Sequence, residues 1–324
     1  MLRRGGRLAV ILLGAALVGV SPFAASAQRP GAPYRIGVLN DARTANHPAV
    51  DGLKAGLRQL GLEEGRDVVF DVRLTDGTSP GMGAAAAALA KAGVDLVFTS
   101  TEAATLGARA ATQTIPIVFT LVGDPVAAGL VNSLAHPGGN VTGVSSLTSQ
   151  LIAKRLEALT TLSPGLRRVW IIGHGGDPVS TAAAAGVASR FGLVVVSRSV
   201  NTSDELERAL GEILPGDALM VPDLATLDIS AVLLEASLAR RIPAVFSSEL
   251  WVSHGGLVSY GADYRAQGVQ AARLVAKILR GARPADLPVE SAGPIVFAVN
   301  LKTASALGLA VPRQVLFRAD VIRR

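Results

Sequence analysis

The chain has no cysteine. That excludes thiolate nucleophiles, cysteine-ligated zinc, iron–sulfur clusters and any disulfide framework. Histidine is scarce as well: His47, His136, His174 and His254 are the four present, and none stands at metal-ligand spacing from another. The aromatics number 2 Trp, 3 Tyr and 8 Phe, with no basic tract interleaving them, so a nucleic-acid surface is not expected. Three catalytic or phosphate-binding motifs are also missing. There is no G-x-S-x-G elbow, no P-loop, and no G-x-G-x-x-G after a strand; His174-Gly-Gly-Asp177 has glycines at the wrong spacing. No catalytic residue, metal or cofactor is therefore expected, and the chain reads as a non-enzyme.

The N-terminus lacks the length of a membrane span. Arg3, Arg4 and Arg7 precede an apolar run of 13 residues, Leu8–Val20, followed by Ala25-Ser26-Ala27. A span needs about 20 apolar residues. A basic stretch, a short apolar run and a small-x-small site instead predict a secretory signal over 1–27, cleaved after Ala27, and a periplasmic product. The net charge of +6 shrinks with it, because the leader carries three of the 31 basic residues and none of the 25 acidic ones.

What is present is a repeating alternation of apolar β-type runs with Ala/Leu-rich helical stretches. Arg35–Leu39, Asp67–Val72, Val94–Thr99 and Ile115–Thr120 read as strands, with helices over Pro48–Gly61 and Gly83–Gly93. Val169–Gly173, Leu193–Ser197, Ala218–Pro222 and Ala244–Ser247 repeat the pattern, with helices near Ser180–Phe191, Asp204–Ile213 and Ile229–Arg240. Continuous rather than alternating apolar character points to parallel sheets covered on both faces. Asp95-Leu-Val-Phe-Thr, helix, Ile115-Pro-Ile-Val-Phe-Thr120 matches Asp217-Ala-Leu-Met-Val, helix, Ile242-Pro-Ala-Val-Phe-Ser247 in order and in approximate spacing. The fold expected is α/β, with two doubly wound parallel-sheet lobes joined by a hinge of several crossovers. Lobe 1 takes 28–145 plus about 254–289, and lobe 2 takes 146–253 plus about 290–324. Hinge crossings are expected near Val144–Ser146, Ser247–Ser253 and Val289–Pro294.

Ligands of open parallel sheets bind beyond the carboxyl ends of the strands. Following each strand gives Asn40-Asp41 and His47, Ser100-Thr101 before a helix, Thr120 with Asp124, Asp223, and Ser247-Ser248-Glu249. These are mostly hydroxyls and carboxylates. Ser100-Thr101 could receive a carboxylate at a helix N-terminus or simply cap that helix. Asp124 before Pro125 fits ordinary turn chemistry equally well, and Glu249 fits a solvated loop.

Six ordered stretches add a resemblance: Arg35-Ile-Gly-Val-Leu39; His47-Pro-Ala-Val-Asp51; Ile115-Pro-Ile-Val-Phe-Thr-Leu-Val-Gly-Asp-Pro-Val126; Gly138-Gly-Asn-Val-Thr-Gly-Val144; Leu279-Arg-Gly-Ala-Arg-Pro-Ala-Asp-Leu-Pro-Val-Glu290; and Asn300-Leu-Lys-Thr-Ala-Ser-Ala-Leu-Gly-Leu309. The chain resembles an ABC-transporter substrate-binding family that includes tryptophan and other aromatic amino-acid binders. The resemblance implies the type I periplasmic-binding-protein fold, a monomer closing on a small polar molecule such as an amino acid, and a membrane permease and ATPase as partners. Carried onto this chain, the pocket would comprise Asn40, Asp41, His47, Ser100, Thr101, Thr120, Asp124, Asp223, Glu249 and Tyr264. A ligand-presenting sensor subunit, or an enzyme on the same scaffold, are the alternatives that the residues leave open.

Overall fold

The structure is a computed structural model, and it describes residues 32–40, 47–75, 79–174, 178–221 and 227–324. The expected signal segment, Asp41 and Asp223 lie outside the described residues. Two sheets organise everything else.

The first half runs β1 (Tyr34–Asn40), α1 (Pro48–Gln59), β2 (Val68–Leu74), α2 (Ser79–Lys91), β3 (Leu96–Thr99), α3 (Glu102–Ala111), β4 (Ile117–Val122) and β5 (Val141–Ser145). Then follow α4 (Thr148–Leu162), β6 (Arg168–His174), α5 (Pro178–Ala188), β7 (Val194–Val200), α6 (Ser203–Gly211), β8 (Asp217–Met220), α7 (Leu227–Ala239) and β9 (Ala244–Phe246). The chain ends with α8 (Glu249–Ser253), β10 (Val258–Ala262), α9 (Tyr264–Leu279), β11 (Glu290–Ser291), β12 (Ile295–Asn300), α10 (Leu301–Ala306), α11 (Arg313–Arg318) and β13 (Val321–Arg323).

One sheet has the order β11-β5-β4-β3-β1-β2 and the other β13-β12-β10-β9-β8-β6-β7. The cores of the two orders, β2-β1-β3-β4-β5 and β7-β6-β8-β9-β10, are the same doubly wound path taken twice. Each has its topological switch point beside its first strand, β1 or β6. All pairings are parallel except β10 with β12. Residues buried in β3 and β4, such as Phe98, Ile117 and Phe119, are flanked by helices on both faces, which explains why these strands read as unbroken apolar runs.

Three features depart from the sequence reading. First, α4 was not predicted. It opens on Leu147 in the left-handed region (φ 58°) with no side-chain cap, so the usual Ser/Thr/Asp start signal is missing. Its buried stripe also contains Arg155, 1 % exposed, whose Nε donates to the Tyr260 carbonyl at 2.8 Å.

Second, the lobe boundaries shift. Residues 258–262 were assigned to lobe 1, yet β10 pairs with β9 and β12 in the second sheet; Glu290–Ser291 were assigned to lobe 2, yet β11 pairs with β5 in the first. Hydrogen bonding along a strand edge decided both placements, and a two-residue strand carries no periodicity to read. Third, the middle hinge crossing is not at Ser247–Ser253, which stays within lobe 2 as the end of β9 and α8. The chain crosses at Ser146–Leu147, at Asp263 between β10 and α9, and at Ala292–Pro294 between β11 and β12.

After the second crossing α9 returns to lobe 1. Ala271, Ala272, Leu274 and Val275 share a core there with Leu53 and Leu57 of α1. The approach is unusually close. A Cβ on Gly268 would overlap the Ala49 carbonyl oxygen, and one on Gly52 would overlap that of Arg265.

Candidate functional site

The carboxyl ends of β1, β3 and β4 gather one polar wall on lobe 1. Asn40, Ser100 and Thr120 are fully buried there, Thr101 is 8 % exposed and His47 is 2 % exposed. Ser100 Oγ donates to Asn40 Oδ1 at 3.2 Å, joining the ends of β1 and β3. Thr120 Oγ1 donates to the Thr99 carbonyl at 3.3 Å, joining β3 and β4. Thr101 caps α3, accepting from Ala104 N at 3.2 Å. Of the two roles open to Ser100-Thr101, the cap is therefore filled by Thr101.

His47 caps α1. Its Nδ1 accepts from Ala49 N at 3.1 Å, so the ring is neutral with its proton on Nε2. Burial lowers its pKa to about 4, because the cation has no water around it. The ring stacks on Tyr264 with centroids 6.2 Å apart and planes 20° apart. Tyr264 is the first residue of α9, directly after the second crossing, and its Oη shares a 2.8 Å hydrogen bond with Ser247 Oγ at the end of β9. Lobe 2 thus meets lobe 1 hydroxyl to hydroxyl. Ser247 and Ser248 are buried, and Ser248 caps α8.

Two of the candidate residues are committed elsewhere. Asp124 Oδ1 accepts from Val126 N and Ala127 N at 3.1 and 3.0 Å, the turn role that the following proline foretold. Glu249 does not join the wall. As the first residue of α8 it is turned toward β13, where Arg323 meets its carboxylate at 2.7 Å. Asp41 and Asp223 fall outside the described residues.

Sequence reasoning passed over Gln267. It is fully buried in α9, one turn beyond Tyr264, and its Oε1 accepts the amide of Leu121 at 3.3 Å. Leu121 sits at φ 57°, where the pairing of β4 with β5 slips between Phe119 and Val122. The signal was a lone glutamine on a helix stripe otherwise made of Gly268, Ala271, Ala272 and Val275.

A groove of about 500 Å³ lies elsewhere, between the end of α1, the outer face of α9 and the Gly293–Pro294 crossing. Its polar groups are largely spoken for: Asp263 caps α9, and Arg273 and Gln270 hold Glu290. The strand ends, at the switch points of both sheets, are the better-built site. Among the described residues no group of three or more His, Asp or Glu could hold a metal ion, and no helix is long and apolar enough to cross a membrane.

Comparison with known proteins agrees with this geometry. A tyrosine-binding protein of Clostridioides difficile is 29 % identical over 277 residues, spanning 83 % of this chain and 80 % of that protein. The crystal structure of an ABC domain in complex with L-Trp from Streptococcus pneumonia is 26 % identical and superposes with a TM-score of 0.78, covering 90 % of this chain and all of that one. The ligand-free, open structure of a substrate binding protein with adhesive properties from Clostridium difficile is 27 % identical, covers 90 % of this chain and 99 % of that one, and superposes less well, at 0.63. The family model for ABC transporter substrate binding proteins matches residues 39–322. With two doubly wound lobes, three crossings and a polar seam where the strand ends meet, the chain belongs to the ABC transporter substrate binding protein family.

Proposed function

We propose that this chain captures an aromatic amino acid between its lobes and presents it to an ABC permease and its ATPase from the periplasmic side of the membrane. The carrying observation is the sealed wall of polar strand ends: Asn40, His47, Ser100, Thr101, Thr120, Ser247 and Tyr264 are all 8 % exposed or less. The two lobes meet in this wall through the Ser247 and Tyr264 hydroxyls. The better superposition on the L-Trp complex than on the open, ligand-free relative supports the same closed arrangement.

The chemistry of the wall suits such a solute. Hydroxyl and amide groups match the carboxylate and ammonium of an amino acid, and the stacked His47–Tyr264 pair supplies flat apolar faces for a ring. Export depends on the 1–27 segment acting as a cleaved leader, and the protein then works as a free monomer. Closure follows the hinge mode in which a ligand stabilises the closed state only by its extra affinity for it.

Calorimetry of the mature chain against the twenty amino acids, paired with small-angle scattering, tests this reading. Tyrosine or tryptophan is expected to bind with a Kd on the order of 1 μM, about −8 kcal/mol, and to shrink the radius of gyration. Binding of neither, or binding without compaction, overturns it.

A further inference from the structure

Gln267 carries an unspent donor. A backbone N–H can only donate, so the side-chain atom facing Leu121 N must be the carbonyl Oε1, which fixes the amide's orientation. Nε2 is then left buried, with no acceptor within hydrogen-bonding distance among the described residues. Buried amide groups in native proteins are almost always paired, and an exception calls for a reason.

The surroundings supply one. Several side-chain donors at the lobe 1 strand ends are already given away. Ser100 donates to Asn40 and Thr120 to the Thr99 carbonyl; Thr105 donates to the Thr101 carbonyl at 2.6 Å. The Tyr264 and Ser247 hydroxyls satisfy each other. Gln267 is anchored by one half of its amide while the other half has no acceptor among the described residues. Its anchor, the left-handed Leu121, follows Thr120 directly, and α3 opens at Glu102 beside the same strand ends, with its N-terminal amides favouring negative charge.

We propose that Gln267 is a ligand-recognition residue, its Nε2–H donating to the carboxylate of the captured amino acid. Lobe closure around the solute would bring that acceptor to the Gln267 amide. This inference rests on the amino-acid reading above, which names the acceptor.

Calorimetry with tyrosine on wild type, Gln267→Met and Gln267→Glu tests it, together with the side-chain amide resonances of ¹⁵N-glutamine-labelled protein, in which the Gln267 pair is assigned by its loss in either variant. Tyrosine is expected to bind Gln267→Met roughly ten- to a hundredfold more weakly than wild type. The Gln267 resonance should shift when tyrosine saturates the wild type and stay in place when tyramine, which lacks the carboxylate, is added at the same concentration. Gln267→Glu keeps the acceptor for Leu121 and covers the case in which the methionine variant does not fold. Wild-type affinity in a folded variant, or a resonance that tyrosine leaves in place, overturns the inference while the amino-acid reading stands. A wild type that binds no amino acid overturns both.

Discussion

The two lobes contain the same Asp–strand–helix–Ile-Pro unit, yet they are held together by different forces. In lobe 2, Asp217 at the start of β8 is 4 % exposed and accepts two hydrogen bonds from Arg168 at 2.8 Å each, one from Trp170 Nε1 at 2.9 Å and one from Leu214 N at 3.0 Å. In lobe 1 the corresponding Asp95 is only half-buried and accepts from the backbone of Arg35 at 2.7 Å. The Arg35 side chain turns instead toward the Ala92 carbonyl and Asp71. Lobe 1 has a different tight joint, where Gly52, Gly56 and Gly268 bring the backbones of α1 and α9 into contact. On lobe 2 the helical glycines Gly186 and Gly211 face open space. A repeated chain path therefore fixes which strands are neighbours and leaves each lobe to find its own clamp: close helix-on-helix packing in one, a partly buried ion pair in the other.

The largest effect is expected at the helix-on-helix clamp. Gly268→Ala puts a methyl group into the Ala49 carbonyl, with backbone rather than a pliable side chain as the obstacle. Overpacking of this kind costs about 3 kcal/mol, and the melting temperature should fall by roughly 6–12 °C. Gly186→Ala in α5, where no atom stands within 4 Å, should leave melting unchanged or raise it slightly, since alanine favours a helix. Equal losses at the two sites would end the distinction between the helix packing of the lobes.

Acid should separate the lobes too. The His47 pKa is lowered by burial from 6.5 to about 4, so between those values the unfolded chain binds a proton that the folded one does not. Its contribution is complete above pH 6.5 and is lost as pH falls toward 4, up to about 3 kcal/mol in all. His47→Asn, which keeps a capping oxygen for Ala49 N, should flatten this slope in urea titrations between pH 7 and pH 4. An unchanged slope would mean that His47 is hydrated in solution. At Asp217 burial pushes the carboxyl upward, but the bonds from Arg168, Leu214 N and Trp170 outweigh it and hold its pKa below 3.8. Its share is present above about pH 4 and disappears only as pH falls further, so lobe 1 feels acid first.

How much of this was legible follows from where each signal sits. The doubly wound order could be read because Ile115-Pro and Ile242-Pro mark a strand start after each helix, and because the strands are apolar throughout. Strand ends could be followed to Asn40, His47, Ser100, Thr101 and Thr120, since in a parallel sheet every such end lies on one side. Glu249 also follows a strand end, but the short helix α8 turns it toward Arg323, a partner 74 residues away. The helix α4 and the β10–α9 crossing were hidden for related reasons. Leu147 carries no capping side chain, and β10 owes its place to pairing with β9 and β12, which no local pattern announces. Gln267 was missed because its meaning lies in the bulge at Leu121, visible only once α9 is laid against β4.

The finest contrast compares one substitution at both copies of the unit. Asp217→Asn can keep its oxygen at the position that accepts from Trp170 Nε1, Leu214 N and Arg168 Nη2, but it sets an NH2 against Arg168 Nε, so the bidentate pair is broken and the carboxylate charge is lost. Arg168 is one-third exposed, and water softens the loss, which leaves about 2 kcal/mol. Asp95→Asn keeps an acceptor for Arg35 N, and the Arg35 guanidinium never depended on it, so about 0.5 kcal/mol is expected there. Urea midpoints of the two variants measure the difference directly. If Asp95→Asn costs as much as Asp217→Asn, the lobes share a charge clamp after all, and the crowding of Gly52, Gly56 and Gly268 is an addition to it rather than its replacement.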